Sequence, residues 1–383
     1  MRISFLYLCY GLGILLLLGS CREPFTPELE PSEANMLVVE GYINLGQDAV
    51  TTIKLSRVQP VTKQTWEQRE RGATLMIEQE GGSTYPLQED SAGVYVSDPL
   101  NLPVQANYRL RIQTKDGRKY SSALVSGKES PAIDNIIWKW DPDGLGIYAN
   151  SKDTQGNTQY YQWTYEETWE IHSPYWSKLV YRDRSMHVRP YEESAKMFIC
   201  WGSAKEKDIL IGSSANFSKD TISFPVTKMP HRSAKTKVRY SILVKQHALS
   251  KQEFEFLEAM KKNTSNLGSF FDPQPSELTG NIASEANPEE IVIGFVGAYT
   301  TSEKRFFIKR EELPPFDMGE ECPPIKVVAV PDSLHKYFDS GSYIPIDSTI
   351  VFIDDKPVLA FEGRFGICVD CRTKGTSERP DFW

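Results

Sequence analysis

Six cysteines carry most of the chemistry that this chain of 383 residues could perform. Cys21 ends the segment Leu18-Gly19-Ser20-Cys21, which directly follows an apolar run over residues 3–18. Small residues before a cut and a thiol after it are typical of an exported chain whose new N-terminal cysteine is acylated through sulfur. We therefore predict a lipoprotein signal peptide at residues 1–20 and lipidation of Cys21.

The same apolar run could instead be an uncleaved transmembrane anchor, since a spanning helix needs roughly 20 apolar residues. We favour cleavage because Gly11 and Gly13 interrupt the run, and because the proline-containing residues 22–27 lack a stop-transfer flank. Residues 21–34 are then the lipidated cysteine and a flexible stalk. We expect acyl chains to tether the mature protein to a membrane without a spanning segment.

Four cysteines remain once Cys9 leaves with the signal peptide and Cys21 is lipidated: Cys200, Cys322, Cys368 and Cys371. An even number in an exported chain indicates two disulfides, and the sequence does not choose among the three possible pairings. Cys368-Val369-Asp370-Cys371 also has the spacing of a redox-active pair, but that chemistry needs a helix that starts at the motif. A polar tail follows instead, so we favour structural bridges, either within the motif or out to Cys200 and Cys322.

Patterns for other catalytic and metal-binding sites are absent from the sequence. The five histidines are scattered, and the chain has neither a glycine-rich phosphate loop nor a Gly-x-Ser-x-Gly elbow. Carboxylates cluster at Glu166, Glu167 and Glu170 and again at Asp354-Asp355, where we predict solvated surfaces. The net charge of −8, with no basic stripe, argues against a nucleic-acid partner. We therefore predict that the protein is not an enzyme and has no cofactor or metal site. The alternative is an envelope enzyme, which would be either a thiol-disulfide protein or a hydrolase whose catalytic residues come together only in the folded chain.

The elements that surround these residues read as mainly β. Short alternating segments at about ten-residue spacing, with turn residues between them, predict an immunoglobulin-like β-sandwich over residues 35–128. The linker is placed at residues 126–131, and residues 131–383 are predicted to form a larger β-rich domain with at least one short helix. That helix starts at the capping box Ser250-Lys251-Gln252-Glu253 and ends near Asn263.

The clearest strand covers residues 160–171, and its two faces differ. Aromatic and aliphatic side chains alternate with polar ones, so that one face carries Tyr161, Trp163, Tyr165, Trp169 and Ile171. We predict that this face is buried in a core, although it could also serve as a platform for sugar stacking. Residues 291–299 and 304–310 are predicted to be two neighbouring strands.

Taken together, these segments resemble the Bacteroidetes lipoproteins of the domain of unknown function 4249 family. The resemblance is carried by residues 37–43, 160–171, 268–275 and 280–282, Cys200-Trp201, the motif Cys368-x-x-Cys371, and the terminal residues 380–383. The family tail usually continues into two glycines, whereas this chain has only Gly375 after Lys374. The resemblance implies a two-domain, β-rich outer-membrane lipoprotein, commonly encoded beside a TonB-dependent transporter barrel and without established catalytic residues.

From the anchor and this resemblance we expect a non-enzymatic accessory protein that helps such a barrel to bind or take up a nutrient. The candidate partner or ligand loop comprises Phe271, Asp272, Pro273, Gln274, Pro275, Gly280 and Asn281. The same loop could be only a packed connection, and a structural or adhesive surface protein is a further alternative. Arg22 and Glu23 give a mixed sorting signal, from which we favour the cell surface over the periplasmic face.

Overall fold

The computed structural model describes residues 36–58, 68–215, 221–265, 278, 280–316 and 321–383. The predicted signal peptide, Cys21, the stalk and the loop residues Phe271 to Pro275 lie outside these ranges. Within them, strands dominate and the helices are short, which confirms the predicted mainly β, sandwich-like fold class. No helix in the described ranges is both long and apolar enough to span a bilayer.

The first eleven strands are β1 (Leu37–Asn44), β2 (Gly46–Ala49), β3 (Thr52–Arg57), β4 (Gln68–Arg69), β5 (Thr74–Gln79), β6 (Thr84–Ser91), β7 (Val94–Ser97), β8 (Leu100–Leu102), β9 (Asn107–Gln113), β10 (Lys119–Ser122) and β11 (Val125–Ser126). The middle of the chain forms β12 (Ile133–Asp141), β13 (Gly144–Lys152), β14 (Tyr160–His172), β15 (Leu179–Arg182), β16 (Ser185–Val188), α1 (Tyr191–Phe198), β17 (Ile199–Lys205), β18 (Leu210–Ser213), β19 (Thr221–Met229), β20 (Arg239–Ala248) and α2 (Lys251–Ser265). The remainder forms β21 (Ile282–Ser284), β22 (Val292–Ile293), β23 (Ala298–Tyr299), β24 (Ser302–Lys309), β25 (Ile325–Val328), α3 (Pro331–Phe338), β26 (Tyr343–Ile353), β27 (Lys356–Phe365) and α4 (Gly366–Val369).

The first sheet has the strand order β21-β10-β9-β5-β6-β7-β3-β1-β22, and it wraps one apolar core. Strict alternation of side chains produces this core. In β9, for example, Tyr108, Leu110 and Ile112 point inward and are buried, while the residues between them face outward. The two ends of the sheet, β21 and β22, lie close together, so the sheet is nearly a closed barrel.

Residues 282–299 complete this sheet, although they follow it by more than 150 residues. β21 pairs antiparallel with β10, whereas β22 and β23 both pair parallel with β1. Parallel neighbours need a long crossover connection, and here most of the second β region supplies it. The first sheet therefore includes strands from the range that the sequence pattern assigned to the second domain.

The prediction of two neighbouring strands at residues 291–299 and 304–310 was wrong. The first of them breaks at Gly294, which has φ +145°, and a Cβ there would lie 2.2 Å from the Val39 carbonyl oxygen. β24, which covers most of the second, pairs with β20 in a different sheet. The apolar run at 291–299 therefore follows β1 in two short pieces instead of forming one strand.

The second core lies between the sheet β17-β14-β20-β24 and the three-stranded sheet β12-β13-β19. Tyr161 and Trp163 of β14 are fully buried in it, and Tyr165 and Trp169 pack against it. The Trp163 indole stacks on Phe224 with ring centroids 4.0 Å apart. The predicted burial is confirmed for these four aromatic residues, whereas Ile171 on the same face is only partly buried and lies outside this core.

The predicted solvated carboxylate surface was wrong for Glu167. This residue lies on the inward face of β14 and is only 3% exposed. Its carboxylate accepts a hydrogen bond from the Tyr240 hydroxyl at 2.6 Å and forms an ion pair with Lys235. Charge pairing compensates part of the desolvation cost, which lets a carboxylate occupy a core-facing position. Asp354 and Asp355 are exposed in a hairpin turn, as predicted.

The last sheet, β25-β27-β26, packs against α3, and one disulfide links its segment to β17. Cys200 of β17 is bonded to Cys371, and Cys322 is bonded to Cys368. The two cysteines of the C-x-x-C motif therefore belong to different bridges. The predicted structural bridging out to Cys200 and Cys322 is confirmed.

Candidate functional site

Gly280 and Asn281 are the two members of the predicted loop that the structure describes. The Asn281 side chain accepts a hydrogen bond from the Val296 N–H at 2.8 Å and donates one to the Val296 carbonyl at 3.0 Å. Gly280 passes so close to Gly294 that a Cβ would lie 1.7 Å from its carbonyl oxygen. Gly280 and Asn281 therefore hold two segments together where they cross, residues 280–281 and residues 294–296. We call this place the crossing.

Two clefts flank this crossing. The larger has a volume of about 520 Å³ and lies between α2 and Gly280-Asn281. Its other lining residues are Ala123, Gln252, Glu255, Phe256, Ala259, Leu278 and Phe295. A second cleft of about 370 Å³ lies on the side of β21 and β22. Both volumes fall in the range of small-molecule sites. Their walls are polar and apolar in similar proportion, which is more polar than is usual for such sites.

A third cleft, of about 250 Å³, lies at the N-terminus of α2 and is lined by Lys128, Ser250, Gln252, Glu253, Tyr299 and neighbouring residues. Ser250 Oγ accepts a hydrogen bond from the Glu253 N–H at 3.1 Å, and the Glu253 carboxyl is bonded in return to the Ser250 backbone. The predicted capping box is confirmed, and α2 continues two residues beyond the predicted end.

Glu253 also joins α2 to the first sheet, because its Oε1 accepts a hydrogen bond from the Tyr299 hydroxyl of β23 at 3.3 Å. The Tyr299 ring stacks on Tyr42 of β1 at 4.6 Å, and His247 of β20 lies 4.7 Å from the Tyr42 ring and 5.0 Å from Tyr299. These four residues, Tyr42, His247, Glu253 and Tyr299, form what we call the junction cluster, where both large sheets meet α2.

Burial sets the protonation states of the junction cluster. It raises the pKa of the Glu253 carboxyl to about 8, and it lowers the pKa of His247 to about 4. Both groups are therefore predominantly uncharged near pH 7. The His247 Nδ1 atom has no hydrogen-bond partner among the described residues.

We expect Glu253 to contribute a component to the free energy of unfolding that falls as the pH rises from about 4.5 to about 8, and a Glu253→Gln variant to lack this component. Between about pH 4 and pH 6.5 the lowered pKa of His247 acts in the opposite direction in both proteins, so the comparison with the variant isolates the Glu253 component. The folded-state pKa of Glu253 lies above its ordinary value of 4.5, so the folded protein holds the proton more tightly and loses stability as the pH passes the folded pKa. Denaturant unfolding of the native protein and of the variant at several pH values measures this component. We expect it to amount to about 5 kcal/mol between pH 4.5 and pH 9, because each pKa unit between about 4.5 and about 8 corresponds to about 1.4 kcal/mol.

Glu255 lies two residues further along α2, where its side chain is exposed, so Glu255→Gln is the matched control. We expect the pH dependence of that variant to follow the native curve. If the free energy of unfolding depended on pH in the same way in the native protein and in Glu253→Gln, the pKa of Glu253 would be the same in the folded and unfolded states, and the prediction would be wrong.

Sequence reasoning identified Ser250 and Glu253 as a cap, but it did not identify the junction cluster. Tyr42, His247 and Tyr299 come from three strands that are remote in sequence, and no spacing rule connects them. The described residues contain no group of three or more histidine, cysteine, aspartate or glutamate side chains arranged to hold a metal ion. The clefts beside α2 offer apolar contact and hydrogen bonding, which suits the binding of a ligand.

The comparison with protein families places most of the chain in one family. A family model described as "Domain of unknown function (DUF4249)" matches residues 22–305, a range that includes α2, Gly280-Asn281 and the junction cluster. No curated protein matches the chain. The sheet β25-β27-β26 and three of the four disulfide cysteines follow the matched range. Because the match covers most of the sequence, the chain belongs to the DUF4249 family.

Proposed function

We propose that this protein is a lipid-anchored, non-enzymatic lipoprotein of the outer membrane that assists a TonB-dependent transporter barrel in nutrient binding or uptake. The lipoprotein motif at Cys21 supports the anchor. The observation that carries the binding role is the pair of clefts on either side of Gly280-Asn281. The display of the protein on the cell surface is part of the proposal.

The chemistry of the larger cleft indicates the kind of ligand. Phe256 and Phe295 lie 5.9 Å apart between ring centroids and supply apolar surface. Gln252 and Glu255 supply polar groups on the exposed side of α2. A small amphipathic molecule, with an apolar body and a few hydrogen-bonding groups, complements this arrangement.

The disulfide pairing supports a binding role over a thiol-disulfide activity. A C-x-x-C catalyst cycles between a dithiol and a bridge within the motif. In this protein Cys368 and Cys371 are each bonded to a distant cysteine, and both are buried. A redox cycle would first require both structural bridges to break.

The proposal is tested by a mild-detergent pull-down from the native membrane, with the co-purifying proteins identified by mass spectrometry. The affinity tag belongs in the β5–β6 turn at Gly81-Gly82, where neither glycine has a neighbour within 4 Å of an added Cβ. The C-terminus is less suitable, because the Trp383 indole donates a hydrogen bond to Glu170 at 2.9 Å. We expect a barrel to co-purify in stoichiometric amounts.

An equally tagged Cys21→Ser protein controls for association after lysis, since it lacks the acylated cysteine. Recovery of the native lipoprotein alone, at several detergent strengths, would contradict a stable transporter complex. In that case the protein would act as an independent binding protein, or it would have one of the alternative roles, as an envelope enzyme or a structural surface protein.

A further inference from the structure

The hairpin β26–β27 presents an unusual surface at its tip. Asp354 and Asp355 form its two-residue turn, with φ values of 48° and 60°, and the pair Ile353–Lys356 closes it. Two consecutive left-handed residues are the signature of a type I′ turn, in which the closing pair is the hydrogen-bonded one. The pairs on either side of it must then alternate in a fixed order.

This alternation determines which main-chain groups point away from the hairpin. Phe352–Pro357 and Ile350–Leu359 are non-hydrogen-bonded pairs, so their N–H and C=O groups face outward. The contact from the Ala329 N–H to the outward-facing Leu359 carbonyl, at 2.9 Å, agrees with this assignment. The outer edges of β26 and β27 can therefore be compared directly.

The edge of β27 is protected, whereas the edge of β26 is open only toward the tip. Nearer its start, the Lys178 N–H donates a hydrogen bond to the Ile346 carbonyl at 2.9 Å. β25 and Ala329 occupy most of the β27 edge, and Pro357 has no N–H to offer near the tip. On β26, the Ser348 N–H is bonded to Asp347 Oδ1 at 2.9 Å. Beyond it, no strand within the described ranges pairs with the outer side of Ile350 and Phe352.

The side chains at this open edge are apolar and exposed. Phe352 is 72% exposed and Ile350 is 62% exposed; on the opposite strand, Leu359, which pairs with Ile350, is 51% exposed. Folded proteins normally protect such an edge with charges, prolines or a covering element, because it pairs readily with other chains. The β26 edge lacks this protection near the tip, whereas the β27 edge has it. This difference indicates that another polypeptide covers the β26 edge.

We propose that the outer edge of β26 at Ile350–Phe352 binds an extended segment of a partner protein by strand addition. The partner strand carries apolar side chains at alternate positions, which pack on Ile350 and Phe352, while its main chain bonds to their outward N–H and C=O groups. A basic residue at one end of the partner strand faces the turn, because Asp354 and Asp355 have no ion pair among the described residues.

Two observations select this occupant. The acidic turn at the outermost point of the hairpin disfavours insertion into an anionic bilayer surface, since like charges would meet there. The exposed apolar side chains offer on the order of 400 Å², about half of the ~800 Å² that each partner of a stable dimer buries. A short strand suits this edge better than a second copy of the chain.

Synthetic nine-residue peptides of alternating valine and threonine, with two lysines at one end, provide the probe, and the purified mature protein is the target. We expect amide hydrogen exchange at Ile350 and Phe352 to slow at least tenfold when the peptide binds. Replacing the peptide lysines with glutamates is expected to weaken binding at least fivefold. A peptide with proline at alternate positions should not bind, because it lacks the required donors.

Phe352→Lys and Ile350→Lys are the test variants, and both positions are exposed enough to accept the change without refolding the core. Ile367→Lys is the matched control, since Ile367 is 56% exposed in the same part of the chain but lies in α4. We expect the first two variants to lose peptide binding at least tenfold and the control to keep it.

Three outcomes would overturn the proposal. Protection of Ile350 and Phe352 by self-association in sedimentation experiments, abolished by Phe352→Lys, would identify a second copy as the occupant. Binding to vesicles of mixed zwitterionic and anionic lipid that Phe352→Lys abolishes would identify the bilayer. Equal behaviour of Phe352→Lys and Ile367→Lys toward the lysine peptides would show that the edge is not a binding surface.

Discussion

A Cys21→Ser protein will no longer fractionate with membranes, whereas the native protein will stay with them through high-salt and carbonate washes. Each buried methylene of an acyl chain contributes about 0.8 kcal/mol, so two or three chains hold a protein almost irreversibly and their removal releases it. Cell fractionation followed by immunoblotting measures the change. Mass spectrometry of the N-terminal peptide should also show an acylated Cys21 in the native protein only.

Cys9→Ser is the matched control, because Cys9 lies in the apolar run that is expected to leave with the signal peptide. That variant should remain acylated and membrane-bound. If Cys21→Ser still resisted carbonate extraction, the N-terminal run would be an uncleaved anchor, and the lipoprotein assignment would fail.

Loss of the Cys200–Cys371 bridge will lower the free energy of unfolding by about 4–5 kcal/mol. The two cysteines are 171 residues apart, and a bridge that closes so long a loop strongly restricts the unfolded chain. The double variant Cys200→Ala with Cys371→Ala avoids leaving an unpaired thiol. Denaturant unfolding under non-reducing conditions measures the difference from the native protein.

The same measurement with reductant at about 10 mM provides the control. Reduction should remove most of the difference in the free energy of unfolding between the native protein and the variant. Peptide mapping without reduction should find Cys200 linked to Cys371 and Cys322 linked to Cys368. A Cys368–Cys371 linkage that reduces easily would contradict this pairing and would revive the thiol-disulfide alternative.

The strands of the first sheet were predictable because side-chain alternation is a local property. A strand with one buried face must place apolar residues at every second position, as Tyr108, Leu110 and Ile112 do in β9. The aromatic face of β14 followed from the same rule. The α2 cap was equally local, since Ser250 and Glu253 are three residues apart.

The sequence-based predictions failed where the same local pattern is compatible with two different structures. Glu167 lies between polar neighbours in sequence, but the two-residue period of the strand places its side chain on the inward face. There it accepts a hydrogen bond from Tyr240 and forms an ion pair with Lys235. The run at residues 291–299 looks like one strand until Gly294 meets the Val39 carbonyl. In both cases the deciding contact came from a residue more than 60 positions away.

The sequence by itself determined the mainly β class and the helix start at Ser250, and it predicted structural disulfides among Cys200, Cys322, Cys368 and Cys371. Only the tertiary structure decided the cysteine pairing, the return of residues 282–299 to β1 and β10, and the junction cluster around Glu253. The physical reason is the range of the interactions. Periodicity and capping act over a few residues, whereas disulfides, parallel pairing and burial of a carboxyl depend on which distant segments the whole fold brings together.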